Sequence, residues 1–408
     1  MKALVLCGGL PQIYLMQLLK ERGITVILAD MNEKVIGRPY ADIFYPVSVL
    51  DEDAVREVAK KEQVDFLITV CADQVLEVVA RVAEQLGLPW YIDAETANNV
   101  SKKSFMKKIF MESGVPTSDY VIMQQLDTEK IAHLKWPLIV KPVDSYSSRG
   151  VQRVDTPEEL QAAFDAAWNI SRSHTVIVEE FNVGDEITVD IYVENGKAHV
   201  LSYGKLDKLG EGGKFIIHRA TYPPMLSESI DHQIRDAAQK IAEGFGLKDS
   251  PMLIQLITDG EKIRVIEFCS RTGGGIKFRL IKQLSGFDVV KAVLDLTMGQ
   301  KPHVEENQVK DPYLINQFLY CHPGVFDHME GFEELKQEGI IEEYSQFKTQ
   351  GAEFSQIRSS GDRIAYFCVR AESRESLLKK YETVCSRIRV LSTEGTDMIR
   401  RDLLEIKE

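Results

Sequence analysis

No uninterrupted apolar stretch in this 408-residue chain approaches the eighteen or so residues that a membrane span needs. The apolar start, Met1 to Leu6, runs into Cys7-Gly8-Gly9 and lacks the longer core and cleavage site of a secretory leader. The six cysteines (7, 71, 269, 321, 368 and 385) show neither C-x-x-C nor Cys/His spacing. A disulfide framework or a zinc site is therefore disfavoured against small buried thiols in a reducing compartment, and a cytoplasmic protein is expected. An excess of basic residues is also missing: 49 Lys and Arg stand against 62 Asp and Glu, a net charge of −13. Such a chain repels phosphate backbones, which argues against nucleic acid as a partner. Any anion it binds must be held by a local cluster of Lys, Arg and backbone N–H groups. No internal repeat or low-complexity tract is present.

What is present is ordinary globular composition, 44% hydrophobic and 27% charged, which excludes collagen-like, mucin-like and disordered chains. The length suits two or three domains. The first hundred residues alternate strand and helix: strands at 3–6, 25–29, 43–47 and 66–70, with helices before Gly23, at 53–61 and at 75–86. Continuous apolar strands with short connections predict a doubly wound parallel sheet. From about residue 98 the texture becomes α+β. A basic helix from Lys102 stops at Gly114 and Pro116, followed by strands at 137–141 and 175–179 around a helix at 156–168. A hairpin over Glu194-Asn195-Gly196-Lys197, a helix at 227–245 and paired strands at 253–258 and 263–268 complete this part. A polar stretch at 301–311 reads as a linker to a smaller α+β region with strands at 313–320 and 363–369 and helices at 332–337 and 374–391. The expected domains are 1–97, 98–300 (with a lid subdomain at about 115–182) and 301–408.

Several segments carry chemistry-bearing residues. Gly8-Gly9 with Asp30 suggests a dinucleotide turn, but G-x-G-x-x-G is incomplete and a plain strand-to-helix turn fits better. Asp73 and Gln74 follow a strand, where ligands bind in such sheets. Lys103 on the basic helix would, taken alone, be a solvated cation. Lys141 ends the apolar strand Leu138-Ile139-Val140-Lys141-Pro142, and a Lys there needs an anionic partner. The loop 143–150 is rich in hydroxyls and backbone donors that suit phosphates, and would otherwise be a surface loop. A second apolar strand ends in Glu179-Glu180-Phe181, with Gly184 and Glu186 beyond. An adenine can bond the backbone past such a strand, and Glu186 can accept from ribose hydroxyls. Gln255 and Glu267 lie on strands joined by Asp259-Gly260. If they share a face, both offer oxygen to a hard cation such as Mg²⁺. Arg271 and Gly273-Gly274-Gly275 follow, although a lone Glu-x-x-x-Arg is more often a surface ion pair.

In this order the residues resemble the ATP-grasp superfamily, including biotin carboxylase, D-alanine–D-alanine ligase and the L-amino acid ligases, most specifically from Lys103 to Arg279. The resemblance implies a doubly wound N-terminal domain, a central nucleotide clamp of two α+β subdomains and a C-terminal α+β domain. It implies that Lys103 and Lys141 hold ATP phosphates while Ser145, Ser147, Ser148 and Gly150 close over them. Glu179, Glu180, Phe181 and Asn182 would line the adenine, and Glu186 would take the ribose. Glu267 would be a magnesium ligand with Gln255, and Arg271 would steady the transferring phosphoryl group. The family usually has Glu or Asp at Gln255 and often Asn at Cys269; the neutral amide leaves one or two ions open.

The implied activity is ADP-forming ligation of a small-molecule carboxylate to an amine, an amino acid or peptide, through an acyl phosphate. Lids at 145–150 and 205–214 would exclude water, and Arg279, with His218 or Arg219, is a candidate for binding substrate; each could equally be an ordinary surface cation. Two alternatives are a bicarbonate-activating enzyme and a non-catalytic nucleotide-binding regulator. The expected partners are small molecules and a second copy of the chain, without nucleic acid or membrane.

Overall fold

The computed structural model describes residues 1–145, 149–209, 215–305 and 311–406. The chain forms two compact units. One comprises Met1–Asp119, Thr188–Ser202 and Leu226–Gln308, the other Tyr120–Ile187, Tyr203–Met225 and Val309–Glu408. Mixed α/β and α+β construction with an N-terminal parallel sheet is what the apolar periodicity anticipates.

In the first unit a parallel sheet runs in the order Ile43–Tyr45, Thr25–Ala29, Lys2–Leu6, Phe66–Ile68. Its middle strand is buried on both faces because successive residues feed opposite cores. Ala3 and Val5 pack with Leu15, Met16 and Leu19 of helix Leu10–Glu21, whereas Leu4 and Leu6 pack with Val55, Val58, Val75 and Val79. The latter valines come from helices Glu52–Glu62 and Asp73–Leu86. At the Asn-Gly hairpin tip, Asn195 (φ 50°) and Gly196 (φ 81°) adopt the paired left-handed conformations that a type I′ turn requires. Strands Ser250–Thr258 and Ile263–Cys269 pair antiparallel, and Asp259 accepts from the backbone N–H groups of Glu261 and Lys262 in the turn.

In the second unit, antiparallel strands lie in the order Tyr120–Met123, Val176–Glu180, Leu138–Pro142, Gln152–Val154. Helix Pro157–Ile170 covers one face, started by Pro157 and a capping box between Thr156 and Glu159. Leu138, Val140, Val176 and Val178 pack with Leu160, Ala163, Phe164 and Ala167 in that core. Odd-numbered neighbours Ile139, Lys141, Ile177 and Glu179 therefore face the other way. A further antiparallel sheet includes Ile217–Tyr222, Tyr313–Leu319, Ala365–Ala371 and Glu343–Gln346, with helix Arg374–Arg387 packed against it.

The helix expected over 374–391 ends at Arg387. Ile388 is extended, and Arg389–Ser392 forms a strand on Gly324–Glu330, because the β-branched residues there gain more from pairing than from another helical turn. Among the described residues no helix is long and apolar enough to cross a membrane.

Candidate functional site

In the first unit the candidate metal residues converge. Gln255 and Glu267 are direct cross-strand partners, so their side chains share a face, and both are half-buried. A register shift follows Gln255, so Leu256 pairs with Val265 and the strand is bent beside the pair. Lys103 Nζ lies 3.4 Å from Glu267 Oε2. Lys103 is held there by its own helix, Lys103–Glu112, which buries Met106 and Phe110. Four residues on, Lys107 is 2% exposed and donates to Thr117 Oγ1 at 2.7 Å, whose hydroxyl donates to Val265 O at 2.8 Å. Lys107 thus ties the helix to the strand that carries Glu267. Sequence reasoning passed over it as one more lysine of a basic helix; its signal is a place on the apolar face, with Met106 and Phe110.

Arg271 is forked onto Asp73, the first residue of helix Asp73–Leu86, and donates to Thr272 O at 2.7 Å. Burial opposes the guanidinium charge, but the Asp73 carboxylate forked onto it outweighs that and raises its pKa. Burial also pushes the Cys269 thiol well up, so it stays protonated and serves as packing. Tyr91 donates to Ser270 O at 3.0 Å, a further tie on the segment entering the glycine run. At its far end, Lys277 Nζ lies 3.1 Å from Asp190 and 3.1 Å from Thr188 Oγ1, and Asp190, 1% exposed, also accepts from Ser202 at 2.6 Å. A Cβ on Gly273 would come within 2.9 Å of Lys277 Cγ, so that glycine makes room for the lysine stem. The Asp190 pair was missed as well. Its signal is a lone carboxylate within Ile187-Thr188-Val189-Asp190-Ile191. Arg279 is half-buried, its guanidinium 5.5 Å from the Phe278 ring centroid.

Apart from Lys103, the described residues expected to bind nucleotide lie in the second unit. Lys141 and Glu179, each 5% exposed, form an ion pair on the face turned away from the helix-covered core. Glu180 accepts from Lys135 N at 2.9 Å, and Phe181 donates its N–H to Pro137 O at 2.9 Å. Arg153 stacks over the Phe181 ring, 4.4 Å from the centroid, and Asn182 Nδ2 donates to Glu180 O at 3.4 Å. Glu186 pairs with Lys208. Ser145 donates to Arg149 O at 2.7 Å, and Gly150 turns at φ +78°, packed on Pro142 and Ile170. Ser147 and Ser148 lie outside the described residues, as do 210–214 of the second expected lid.

Arg219, a candidate for binding substrate, has its guanidinium paired with Asp207 at 2.7 Å and donating to Glu405 O at 3.1 Å. His218 beside it is buried, and its pKa is pulled down to about 4 by burial and then by Arg219. The imidazole therefore remains neutral in the folded chain while the unfolded chain protonates it near pH 6.5. Its contribution is undiminished above that pH and is lost as pH falls toward 4. His218→Gln is expected to flatten the acid limb of the stability–pH profile between pH 6.5 and 4 by on the order of 1–2 kcal/mol, read by urea denaturation at each pH.

The donor set fits a hard divalent ion. Among the described residues no group of three or more His, Cys, Asp and Glu forms a metal cage. Gln255 and Glu267 supply two oxygens on one face, which matches the habit of Mg²⁺ of taking one or two protein ligands and completing its shell with water and phosphate oxygens.

Comparison with known proteins extends this geometry. Residues 134–279 match the ATP-grasp domain family and residues 317–391 match the L-amino acid ligase C-terminal domain 2. Formate-dependent phosphoribosylglycinamide formyltransferase from Aliivibrio fischeri is 22% identical over 384 residues, 90% of this chain and 92% of the relative. The crystal structure of L-amino acid ligase from Bacillus licheniformis superposes with a TM-score of 0.82 at 21% identity, covering 96% of this chain and 98% of the other. The biotin carboxylase domain of Hydrogenobacter thermophilus 2-oxoglutarate carboxylase, solved with MgADP, ADP and bicarbonate, gives 0.76 at 16% identity over 100% and 99% of the two chains. At these identities the structural likenesses establish the fold.

Proposed function

We propose that this chain, which carries an ATP-grasp domain and the C-terminal domain of the L-amino acid ligases, is an ADP-forming ligase joining a small-molecule carboxylate to an amine, an amino acid or peptide. The observation that carries the reading is the cross-strand pair Gln255 and Glu267 with Lys103 at 3.4 Å, placed where a polyphosphate and its cation can be neutralised together.

The substrate carboxylate attacks the γ-phosphorus of ATP, the bond to the β–γ bridging oxygen breaks, and ADP leaves. The amine then attacks the acyl phosphate, loses a proton and releases phosphate. The first step brings anions together and the second expels one, so the work of the protein is positioning and charge neutralisation. Mg²⁺, when bound, would draw off charge from the phosphates. Glu267 and Gln255 would hold it, and with a single carboxylate one firmly held ion is expected. Lys103 and Lys141 would take phosphate oxygens. Glu179, Glu180, Phe181 and Asn182 would meet the base, Glu186 the ribose, and Ser145 and Gly150 the phosphate-side loop. Arg271, kept in one orientation by Asp73, would present N–H groups to the transferring phosphoryl group, and Arg279 would capture the substrate carboxylate. The six free cysteines suit a reducing, cytoplasmic setting, and a homodimer is the expected assembly.

Phosphate release with ATP, Mg²⁺ and paired amino acids tests the reading. ADP and phosphate are expected only when carboxylate and amine are both present, with a new amide in the products. Release of AMP and pyrophosphate would overturn it. Turnover stimulated by bicarbonate alone would point instead to carboxyphosphate chemistry.

A further inference from the structure

We propose that Lys103 is a placeholder cation for the metal site, neutralising Glu267 until a polyphosphate arrives, so that the divalent ion enters with the nucleotide and not before it. The inference rests on the ligase reading only for the identity of the nucleotide. It stands on three observations within the first unit.

The first is contact. Lys103 Nζ and Glu267 Oε2 are 3.4 Å apart, with the side chains 16% and 32% exposed, so the pair is shielded but open to an incoming ligand. The second is the helix start. Lys103 is the first residue of Lys103–Glu112, Lys102 is its N-cap, and the first turn holds no acid. Two lysines at the positive pole of a helix oppose its dipole, an arrangement that favours an anion nearby. Lys107, through Thr117 and Val265, anchors that pole to the strand of Glu267. The third is the charge balance. Gln255 is a neutral amide, and Arg271 is paired with Asp73. Glu267 with Lys103 then adds to zero. A donor set without net negative charge holds a divalent ion poorly, because ligand charge sets affinity for such ions.

A polyphosphate reverses this balance. Its oxygens compete for the Lys103 ammonium, whose flexible four-carbon stem can follow them. As the ammonium moves to phosphate, the Glu267 carboxylate is exposed to the ion that the same polyphosphate brings. No bond is made or broken; one ion pair is exchanged for two.

Mn²⁺ titrations of the full chain, read by the electron paramagnetic resonance of the unbound ion, test this without turnover. In the absence of nucleotide, Lys103→Met is expected to bind Mn²⁺ about tenfold or more tightly than the wild type, because the repelling charge near the carboxylate is gone. The same variant should bind ADP with Mg²⁺ more weakly. Adding Glu267→Gln to Lys103→Met should erase the gain. An unchanged or weaker Mn²⁺ affinity in Lys103→Met, or a gain that survives Glu267→Gln, would overturn the proposal. If Lys103→Met melts well below the wild type, Lys103→Gln serves in its place with the same criteria. Failure of the ligase reading would show separately, as ATP turnover indifferent to carboxylate and amine.

Discussion

Replacing Glu267 by Gln is expected to lower ATP turnover at least ~10³-fold while leaving the chain folded. The substitution keeps the shape and half-buried position of the side chain but removes the one carboxylate of the donor set. Two consequences follow. On the proposed ligand set the divalent ion would lose its one carboxylate, since Gln255 offers no more than a carbonyl oxygen. Lys103, at a helix N-terminus, loses its ion pair with Glu267. Single charged groups that stabilise a transition state account for losses of ~10²–10³ or more in other enzymes, and on the proposed function this residue would also hold the metal. Stability should change little, because partly exposed ion pairs contribute at most about 1 kcal/mol. Initial rates of phosphate release, run beside a thermal melt, separate the two effects. A variant that melts normally and turns over within tenfold of the wild type would remove Glu267 from the chemistry.

The second large effect is expected at Lys141 and is one of stability as well as binding. Lys141 and Glu179 are each 5% exposed, on neighbouring strands of one sheet. Breaking a buried pair by removing one partner leaves a desolvated charge, which costs about 3–5 kcal/mol, whereas removing both is often close to neutral. Lys141→Met alone should therefore destabilise the second unit by about that amount, and Lys141→Met with Glu179→Gln should recover most of it. Nucleotide affinity should fall in both. Urea denaturation followed by tryptophan fluorescence, with and without ADP, checks the cycle. If the double variant is no more stable than Lys141→Met, the two residues do not act as a pair.

The parts of the fold legible in the sequence are those whose signals are local. Three of the four parallel strands stand out as apolar runs of three to five residues because both faces are buried. Both tight turns, Asn195-Gly196 and Asp259-Gly260, announce themselves by residues that tolerate or stabilise a sharp reversal. Gly324–Glu330 is not legible, because only Phe326 of its seven residues is buried and its exposed positions read as loop. The end of helix Arg374–Arg387 is hidden too, since Glu330, the strand partner of Arg389 just beyond it, lies 59 residues earlier in the chain.

The site divides along the same line. Gln255 and Glu267 could be paired from sequence because one short turn joins their strands. Lys141 was marked by its place at the end of an apolar strand, but its partner Glu179 is 38 residues away. The fork between Arg271 and Asp73 spans 198 residues, and no local pattern encodes it. Lys107 and Asp190 sit where an amphipathic pattern calls for an apolar residue. A charge in such a place is affordable only with a dedicated partner, and that is the trace each leaves in the sequence.

The proposed chemistry depends on Glu267 and Lys103 handling a metal-bound nucleotide as a phosphoryl donor. The most direct measurement uses an ¹⁸O-labelled carboxylate substrate with unlabelled ATP and the amine, with the released phosphate analysed by mass spectrometry. Attack by the carboxylate on the γ-phosphorus transfers one ¹⁸O atom to phosphate in the wild type, and none above background in Glu267→Gln. Phosphate released without label, at a rate indifferent to the carboxylate, would show that ATP is hydrolysed by water and that no acyl phosphate forms.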